Sequence, residues 1–335
     1  MKIMPKLQRL ILDSPKRLAM PIGVYSGLEL IGGTVKGAIT NAQCQVDAVL
    51  AIHDHFDTSI LMTAMDLSAE AEAFGSQIRM SEDEIPAVVG RKVTGFDEVL
   101  RLNIPKIGDA RTSVHLEAAQ KLIAQTKGLP VLGGVIGPFS LAGRLFGVSE
   151  ALELSLSDPD LLHRLLEKTT RFLIDYVIAF RNLGTIGVIM AEPAAGLLSP
   201  RGLAQFSSQY VKRIIEAAET ENFSIILHNC GAKLIHLPKI VESGAKILHF
   251  GAPMDIVQAL QQVGDTEILG GNLDPTQVFF SGTAKDVADR TRELLDRTKM
   301  NDNFFISSGC DIPPHTPIQN LEIFFKTVRD AKNAS

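Results

Sequence analysis

The sequence predicts a single-domain (β/α)8 TIM barrel over residues 1–335, with an insertion after its second strand. Eight short apolar runs rich in β-branched residues alternate with longer segments whose apolar residues recur at helical spacing. No linker rich in Ser, Gly or Pro divides the 335 residues, a length that is typical of one α/β barrel. Strands that alternate with helices form a parallel sheet, and eight such units predict closure into a barrel.

The eight apolar runs are the predicted strands. They cover residues 18–24, 58–63, 129–136, 185–191, 224–228, 246–250, 266–270 and 303–307. Helical spacing is clear over residues 161–180, 204–218 and 284–295, and Asp158-Pro159 predicts a capped helix start. The stretch 66–127 is too long for one crossover and is the predicted insertion. An open doubly wound sheet is the alternative, but the G-x-G-x-x-G turn expected of its dinucleotide site is missing.

Composition narrows the classes of partner and the location. The formal net charge of −5 gives no electrostatic reason to expect nucleic acid. No uncharged apolar run of about 18 residues predicts a membrane span, and residues 1–14 resemble an amphipathic helix more than a secretory signal. Three cysteines are too few for a disulfide framework and indicate a cytoplasmic protein. The sequence leaves the oligomeric state open.

Polar side chains follow most of the predicted strands. The carboxyl ends of barrel strands are where barrel enzymes hold their chemistry, so we expect these side chains to converge on one face. They are Asp66, Arg144, Glu192, His228, Cys230, His249, Asn272, Asp274 and Cys310.

Three of these residues predict a metal site. His228 and Cys230 are two apart at the end of an extended run, so both side chains point to the same side. Gly231 then lets the backbone turn, and Cys310 has the equivalent place after the eighth strand. One imidazole and two thiolates with an open fourth position are typical of catalytic zinc. Cys44 lies in a helical run and is expected to be structural.

The ligand set also indicates a reaction class. Two thiolates cancel the charge of Zn²⁺, which weakens the ion as a Lewis acid for making hydroxide from water. Such an ion can instead bind a substrate thiol as an electron-rich thiolate. Alkylation of a thiol therefore follows more naturally than hydrolysis.

Four motifs carry a resemblance to a known family. They are Gly137-Pro138-Phe139-Ser140-Leu141-Ala142, Glu192-Pro193-Ala194-Ala195-Gly196-Leu197-Leu198-Ser199-Pro200, Gly271-Asn272-Leu273-Asp274-Pro275 and Pro313-Pro314-His315-Thr316-Pro317-Ile318-Gln319-Asn320. With them the chain resembles the uroporphyrinogen decarboxylase superfamily over nearly its whole length. The resemblance implies the same (β/α)8 barrel.

Departures from the family pattern indicate the branch. The decarboxylases carry an arginine-rich segment after the first strand, whereas residues 21–29 here contain no Arg. The tyrosine that follows their Gly-Pro-Phe motif is matched by Arg144, their histidine before Pro-x-Thr-Pro by Cys310, and their aspartate after the second strand by Asp66. A substrate with many carboxylates would lack its cationic clamps here. A decarboxylase of the uroporphyrinogen type is therefore the alternative reading.

The chain is more similar to the methyl-corrinoid:coenzyme M methyltransferase branch, in its His-x-Cys…Cys set and in residues 65–73 and 308–311. That resemblance implies an enzyme in which zinc binds a small thiol such as coenzyme M. A methylated corrinoid (methylcobalamin), carried by a partner protein, would dock over the barrel mouth. Relatives have an acidic residue after the sixth strand, whereas this chain has Phe250-Gly251-Ala252. The fourth zinc position is then left to water, substrate, Glu192 or His249.

Four further residues receive predicted roles. Asp66 is expected to orient substrate or a metal-bound group, or else to cap the next helix, and Glu192 to support the metal site or handle a proton. Arg144 is expected to bind the acidic tail of a thiol, and His249 to line the substrate site or contact the metal ligands. The direction of methyl transfer stays open, and a non-catalytic module that docks a corrinoid protein is a third hypothesis.

Overall fold

The computed structural model describes residues 4–331, which form a curled parallel sheet covered by helices. The strands are β1 Leu61–Met62, β2 Gln77–Arg79, β3 Ala87–Val89, β4 Val131–Ile136, β5 Gly187–Ala191, β6 Ser224–Asn229, β7 Ile247–Phe250, β8 Ile268–Leu273 and β9 Phe304–Ser308. Seven of them form one parallel sheet in the order β1-β4-β5-β6-β7-β8-β9, while β2 and β3 form an antiparallel pair. The predicted α/β class with a parallel sheet is confirmed.

Within residues 4–331 there are sixteen α-helices. They are α1 Lys6–Leu12, α2 Ser26–Ile31, α3 Val35–Thr40, α4 Ala42–Phe56, α5 Ala69–Ala73, α6 Phe96–Arg101, α7 Thr112–Gln125, α8 Pro138–Phe146, α9 Val148–Ser157, α10 Pro159–Leu183, α11 Pro200–Leu203, α12 Gln209–Ala218, α13 Leu237–Val241, α14 Ile256–Val263, α15 Ala284–Thr298 and α16 Ile318–Asp330. Shorter helical turns cover Pro193–Leu197, Ala204–Ser208, Leu234–His236 and Pro275–Phe280. None of the helices in residues 4–331 is long and apolar enough to cross a membrane.

The first predicted strand, residues 18–24, is reduced to one parallel bridge between Ala19 and Ile306 of β9. Next along the chain, Pro21 has no backbone N–H to donate. The N–H of Ile22 donates to the Ser308 hydroxyl at 2.9 Å, so the backbone ladder does not continue. Among the described residues the parallel sheet thus has seven strands and a bridged segment where eight strands were predicted. The single-domain division stays a prediction.

The segment between β1 and β4 holds α5, the β2–β3 pair, α6 and α7. Its buried side chains, such as Phe74, Val99 and Leu122, belong to the main hydrophobic core of the described residues. Its buried polar groups lie close to the residues that follow β1, as described below.

The inward-facing side chains form a separate apolar cluster inside the curl of the sheet. Because side chains alternate along a strand, Ile226, Ile247 and Phe305 point inward, and the next inward positions are 228, 249 and 307. At the amino ends of the strands, Leu7 and Ile11 of α1 join the same cluster and cover it. The polar layer therefore lies above an apolar floor, towards the carboxyl ends of the strands.

Candidate metal centre

His228, Cys230 and Cys310 come together at the carboxyl ends of β6 and β9. Their ligand atoms all lie within 4.8 Å of one another, and within residues 4–331 they are the one group of three or more potential metal-ligating side chains of this kind. Two strands separate β6 from β9 in the sheet order, so the curl of the sheet brings these residues together. His228 is 2% exposed, and both cysteines are half-buried and free.

Glycines allow the three loops to approach so closely. A Cβ at Gly251, after β7, would collide with the backbone of Cys230. A Cβ at Gly309 would lie 2.9 Å from the backbone nitrogen of Ala252, closer than real contacts allow. Gly251 and Ala252 stand where the family resemblance implied an acidic residue. They leave room for the neighbouring backbone and supply no side-chain ligand for a metal.

The two thiols are hydrogen-bonded to each other, and this contact separates their pKa values. A hydrogen bond from the Cys310 thiol lowers the pKa of Cys230 to about 7, although burial opposes the shift. The same contact, together with burial, raises the pKa of Cys310 to about 12. One thiolate is therefore available near neutral pH, and a divalent cation would displace the second proton.

The imidazole of His228 offers the third potential ligand atom. Nε2 of His228 is buried and has no hydrogen-bond partner. Buried polar atoms are normally paired, and an orphan next to two sulfurs indicates a missing partner. An imidazole nitrogen and two thiolates fit a tetrahedral ion of the zinc type with one open position.

His249 lies beside His228 on the inner face of the sheet and is fully buried. Its Nδ1 is 2.8 Å from Nδ1 of His228, and its Nε2 is 2.7 Å from Oγ of Ser307. Burial and the neighbouring His228 lower the pKa of His249 well below its ordinary value, so the ring is neutral. It does not belong to the three-ligand group, and its predicted part in substrate binding stays a prediction.

Glu192 is buried behind the site, where it caps α8. Its carboxylate accepts hydrogen bonds from the backbone of Phe139 at 2.9 Å and of Ser140 at 2.8 Å. The hydroxyls of Ser140 and Ser207 add bonds of 2.6 and 3.1 Å. Burial nevertheless raises the pKa of Glu192. These hydrogen bonds occupy both carboxylate oxygens of Glu192 at the first turn of α8. They also explain why glycine precedes this helix, because a Cβ at Gly137 would collide with the Glu192 side chain.

Asp66 is buried in an ion pair that the sequence analysis missed. Its carboxylate contacts Arg111 and accepts 3.0 and 2.7 Å bonds from the backbone and hydroxyl of Ser68. Burial would raise its pKa, but His115, Arg111 and Ser68 together lower it to about 2. Arg111 also bonds Glu72 at 2.7 Å. Arg111 is one of several arginines in the long segment between β1 and β4, and its place in the sequence gives no signal for this role.

Arg144, on α8, is half-buried and has no hydrogen bond or ion pair among residues 4–331. Burial lowers its pKa, while the negative charge of Asp66 opposes that shift. A half-buried, unpaired guanidinium is ready to bind an anion.

Tyr25 and Asp311 are two further polar residues near the strand ends that received no predicted role. Tyr25 is buried and Asp311 is half-buried, and the Tyr25 hydroxyl and one Asp311 oxygen are buried atoms without hydrogen-bond partners. Burial raises the pKa of each well above its ordinary value. Their positions, in the segment after the first predicted strand and next to Cys310, were the only signal available.

A curled parallel α/β sheet with one imidazole and two thiols at its carboxyl ends defines a barrel-like protein with a candidate thiolate-rich metal centre. Within that class the assignment is specific. The chain belongs to the uroporphyrinogen decarboxylase (URO-D) family, whose family model matches residues 18–331.

Relatives from two functional groups match most of the chain. It is 27% identical over 311 residues to the methylcobamide:CoM methyltransferase MtbA of Methanosarcina acetivorans, covering 91% of this chain and 89% of that protein. It is 24% identical over 317 residues to a uroporphyrinogen decarboxylase of Psychromonas ingrahamii, covering 91% and 88%. The resemblance to the superfamily and its methyltransferase branch is confirmed.

A solved structure supports the fold. A methyltransferase from Methanosarcina mazei superposes with a TM-score of 0.87 at 22% identity, and the match covers 97% of each chain. At this identity the likeness supports the fold alone.

Proposed function

We propose that this protein is a zinc-dependent enzyme that moves a methyl group between a protein-bound corrinoid and a small thiol such as coenzyme M. The observation that carries the proposal is the convergence of His228, Cys230 and Cys310, with the orphan Nε2 atom of His228. The similarity to methylcobamide:CoM methyltransferases supports the same reaction. We expect the enzyme to act in the cytoplasm, since its cysteines are free thiols.

The residues of the site have different proposed roles. Zn²⁺ would be held by His228, Cys230 and Cys310. When bound, the ion would lower the pKa of the incoming thiol and favour its thiolate. Arg144 binds the anionic tail of that thiol and so fixes which end points to the metal. Asp66, held by Arg111, keeps a negative charge close enough to Arg144 to oppose the effect of burial on its pKa, and so helps to keep the guanidinium charged.

Glu192 has a supporting part in this proposal. Because its carboxylate binds the first turn of α8, it fixes the helix from which Arg144 projects. The predicted proton-handling role is not needed for the reaction. We therefore propose Glu192 as a positioning residue of the anion site.

The corrinoid is proposed to arrive on a partner protein at the mouth of the barrel. Two loops at this mouth, after β5 and β6, pack backbone to backbone, and Gly196 contacts Gly231. They present Leu197 and Ile235, which are 63% and 66% exposed. Exposed aliphatic side chains beside a metal centre suit a flat, largely apolar macrocycle.

The metal content of purified protein tests the proposal. We expect about one zinc per chain in wild type and a large loss in Cys310→Ala, while Cys44→Ala, a cysteine on α4, keeps its zinc. Demethylation of methylcobalamin with a panel of thiols should then require Cys310. Zinc below about 0.1 per chain in wild type purified without chelator would refute the proposal. Decarboxylation of uroporphyrinogen by metal-free protein would favour the alternative.

A further inference from the structure

We propose that Ser307 and His249 are positioning residues that fix the tautomer of His228 and leave its Nε2 as a bare lone pair facing Cys230 and Cys310. The inference rests on the proposed zinc centre and deepens it. It follows from a chain of three hydrogen bonds that runs from the backbone of Met20 to His228.

The first link of the chain determines the direction of the others. The Ser307 hydroxyl is 2.7 Å from the carbonyl oxygen of Met20 and 3.0 Å from that of Ser308. Carbonyl oxygens only accept, so the single hydroxyl proton of Ser307 is donated to them. Its oxygen must therefore accept from Nε2 of His249, which lies 2.7 Å away and so carries the proton of that ring.

The second link follows from the first. A neutral imidazole with its proton on Nε2 has a lone pair on Nδ1. Nδ1 of His249 lies 2.8 Å from Nδ1 of His228, so the latter must donate. The remaining nitrogen of His228, Nε2, then carries no proton.

The other end of the chain gives the same answer independently. Nδ1 of His228 also lies 3.3 Å from the carbonyl oxygen of His249, which can only accept. Nδ1 of His228 is thus a donor on both contacts. The unpartnered Nε2 atom is what this tautomer leaves behind, and only a lone pair at that atom can bind a metal.

The seam of the sheet, where the segment around Ala19 and Met20 meets β9, therefore supports the proposed metal centre. The Met20 carbonyl belongs to the segment that bridges β9 through Ala19 and Ile306, and Ser307 is the next residue of β9. Ser307, His249 and His228 are fully or almost fully buried, so water does not compete for their hydrogen bonds. Partners beyond the ligands typically contribute about 10- to 100-fold to metal affinity.

Nitrogen-15 NMR of the histidine rings in metal-free protein tests the tautomers directly. We expect a proton on Nδ1 of His228 and on Nε2 of His249 in wild type. In Ser307→Ala we expect His249 to lose its single tautomer and His228, which keeps only the 3.3 Å contact with the His249 carbonyl, to populate both tautomers, together with about a 10- to 100-fold weaker zinc affinity in chelator competition.

Ser308→Ala is the matched control, because it also removes a buried hydroxyl of the seam, one that binds Ile22 and not His249. It should retain the tautomers and the zinc affinity of wild type. A proton on Nε2 of His228 in wild type would overturn the inference, even if Ser307→Ala failed to fold. Equal losses of zinc affinity in both variants would also overturn it. The tautomers are read without metal, so failure of methyl transfer leaves this result unaffected.

Discussion

Replacement of Glu70 by Gln should remove a pH-dependent loss of stability. Glu70 is 1% exposed, and its Oε1 accepts a 2.9 Å bond from the backbone of Ile136 at the end of β4. Its Oε2 has no partner. Burial, the largest cause, raises the pKa of Glu70 from 4.5 to about 8. The folded protein therefore keeps this carboxyl protonated at neutral pH, whereas the unfolded chain releases the proton.

The sign and size follow from proton linkage. Between pH 4.5 and about 8 the folded state binds one more proton at Glu70 than the unfolded state, so rising pH favours unfolding. At about 1.4 kcal/mol per pH unit the full window is worth roughly 5 kcal/mol. Gln keeps the shape and the acceptor for Ile136 but cannot ionise. We expect Glu70→Gln to gain about 3 to 4 kcal/mol on wild type between pH 5 and pH 8.

Urea unfolding at half-unit steps from pH 5 to 9 measures this gain. Glu216→Gln, on the solvent-facing side of α12, is the control and should follow the wild-type curve. A constant difference between Glu70→Gln and wild type across the whole range would refute the reasoning. It would mean that Glu70 is ionised in the folded protein at neutral pH.

Two further substitutions test the anion site and its support. Arg144→Met should raise KM for thiols with a sulfonate or carboxylate tail by about 10- to 100-fold and change kcat little. A neutral thiol should be unaffected, and an equal loss for both kinds of thiol would contradict the role of Arg144. Arg111→Met should destabilise the fold by about 3 to 5 kcal/mol, because it leaves Asp66 buried without its cation. Arg171→Met, which breaks an exposed pair with Asp175, should change the free energy of unfolding by less than about 1 kcal/mol, and similar losses in both variants would contradict the buried pair.

The sheet was predictable because its strands are buried on both faces and are therefore continuous apolar runs. The predicted runs for β4 to β9 overlap the observed strands closely. The segment 18–24 is equally apolar, yet it forms one bridge. Its pairing depends on Pro21 and on the Ser308 hydroxyl, and the second of these is a contact over nearly 300 residues that no local pattern contains.

The site was predictable to the extent that it follows the two-residue period of strands. His228 and Cys230 share a face for that reason, and Cys310 follows the strand that the curl brings opposite. The surroundings of Asp66 and Glu192 were not predictable. Each carboxylate is bound by a segment more than 40 residues away, Arg111 in one case and the first turn of α8 in the other. Sequence spacing identifies acids at strand ends but not the donors that bind them.

The position of helix α1 bears on the order in which reactants can bind. Leu7 and Ile11 cover the amino ends of the strands and belong to the same apolar cluster as Ile226 and Ile247. Because α1 closes the amino side of this cluster, we expect molecules to reach His228 from the carboxyl side. In the proposed reaction a large carrier would cover that entrance, so the small reactant must enter before the carrier and its product must wait until the carrier leaves. The rate of turnover would then be limited by how long the two proteins stay together.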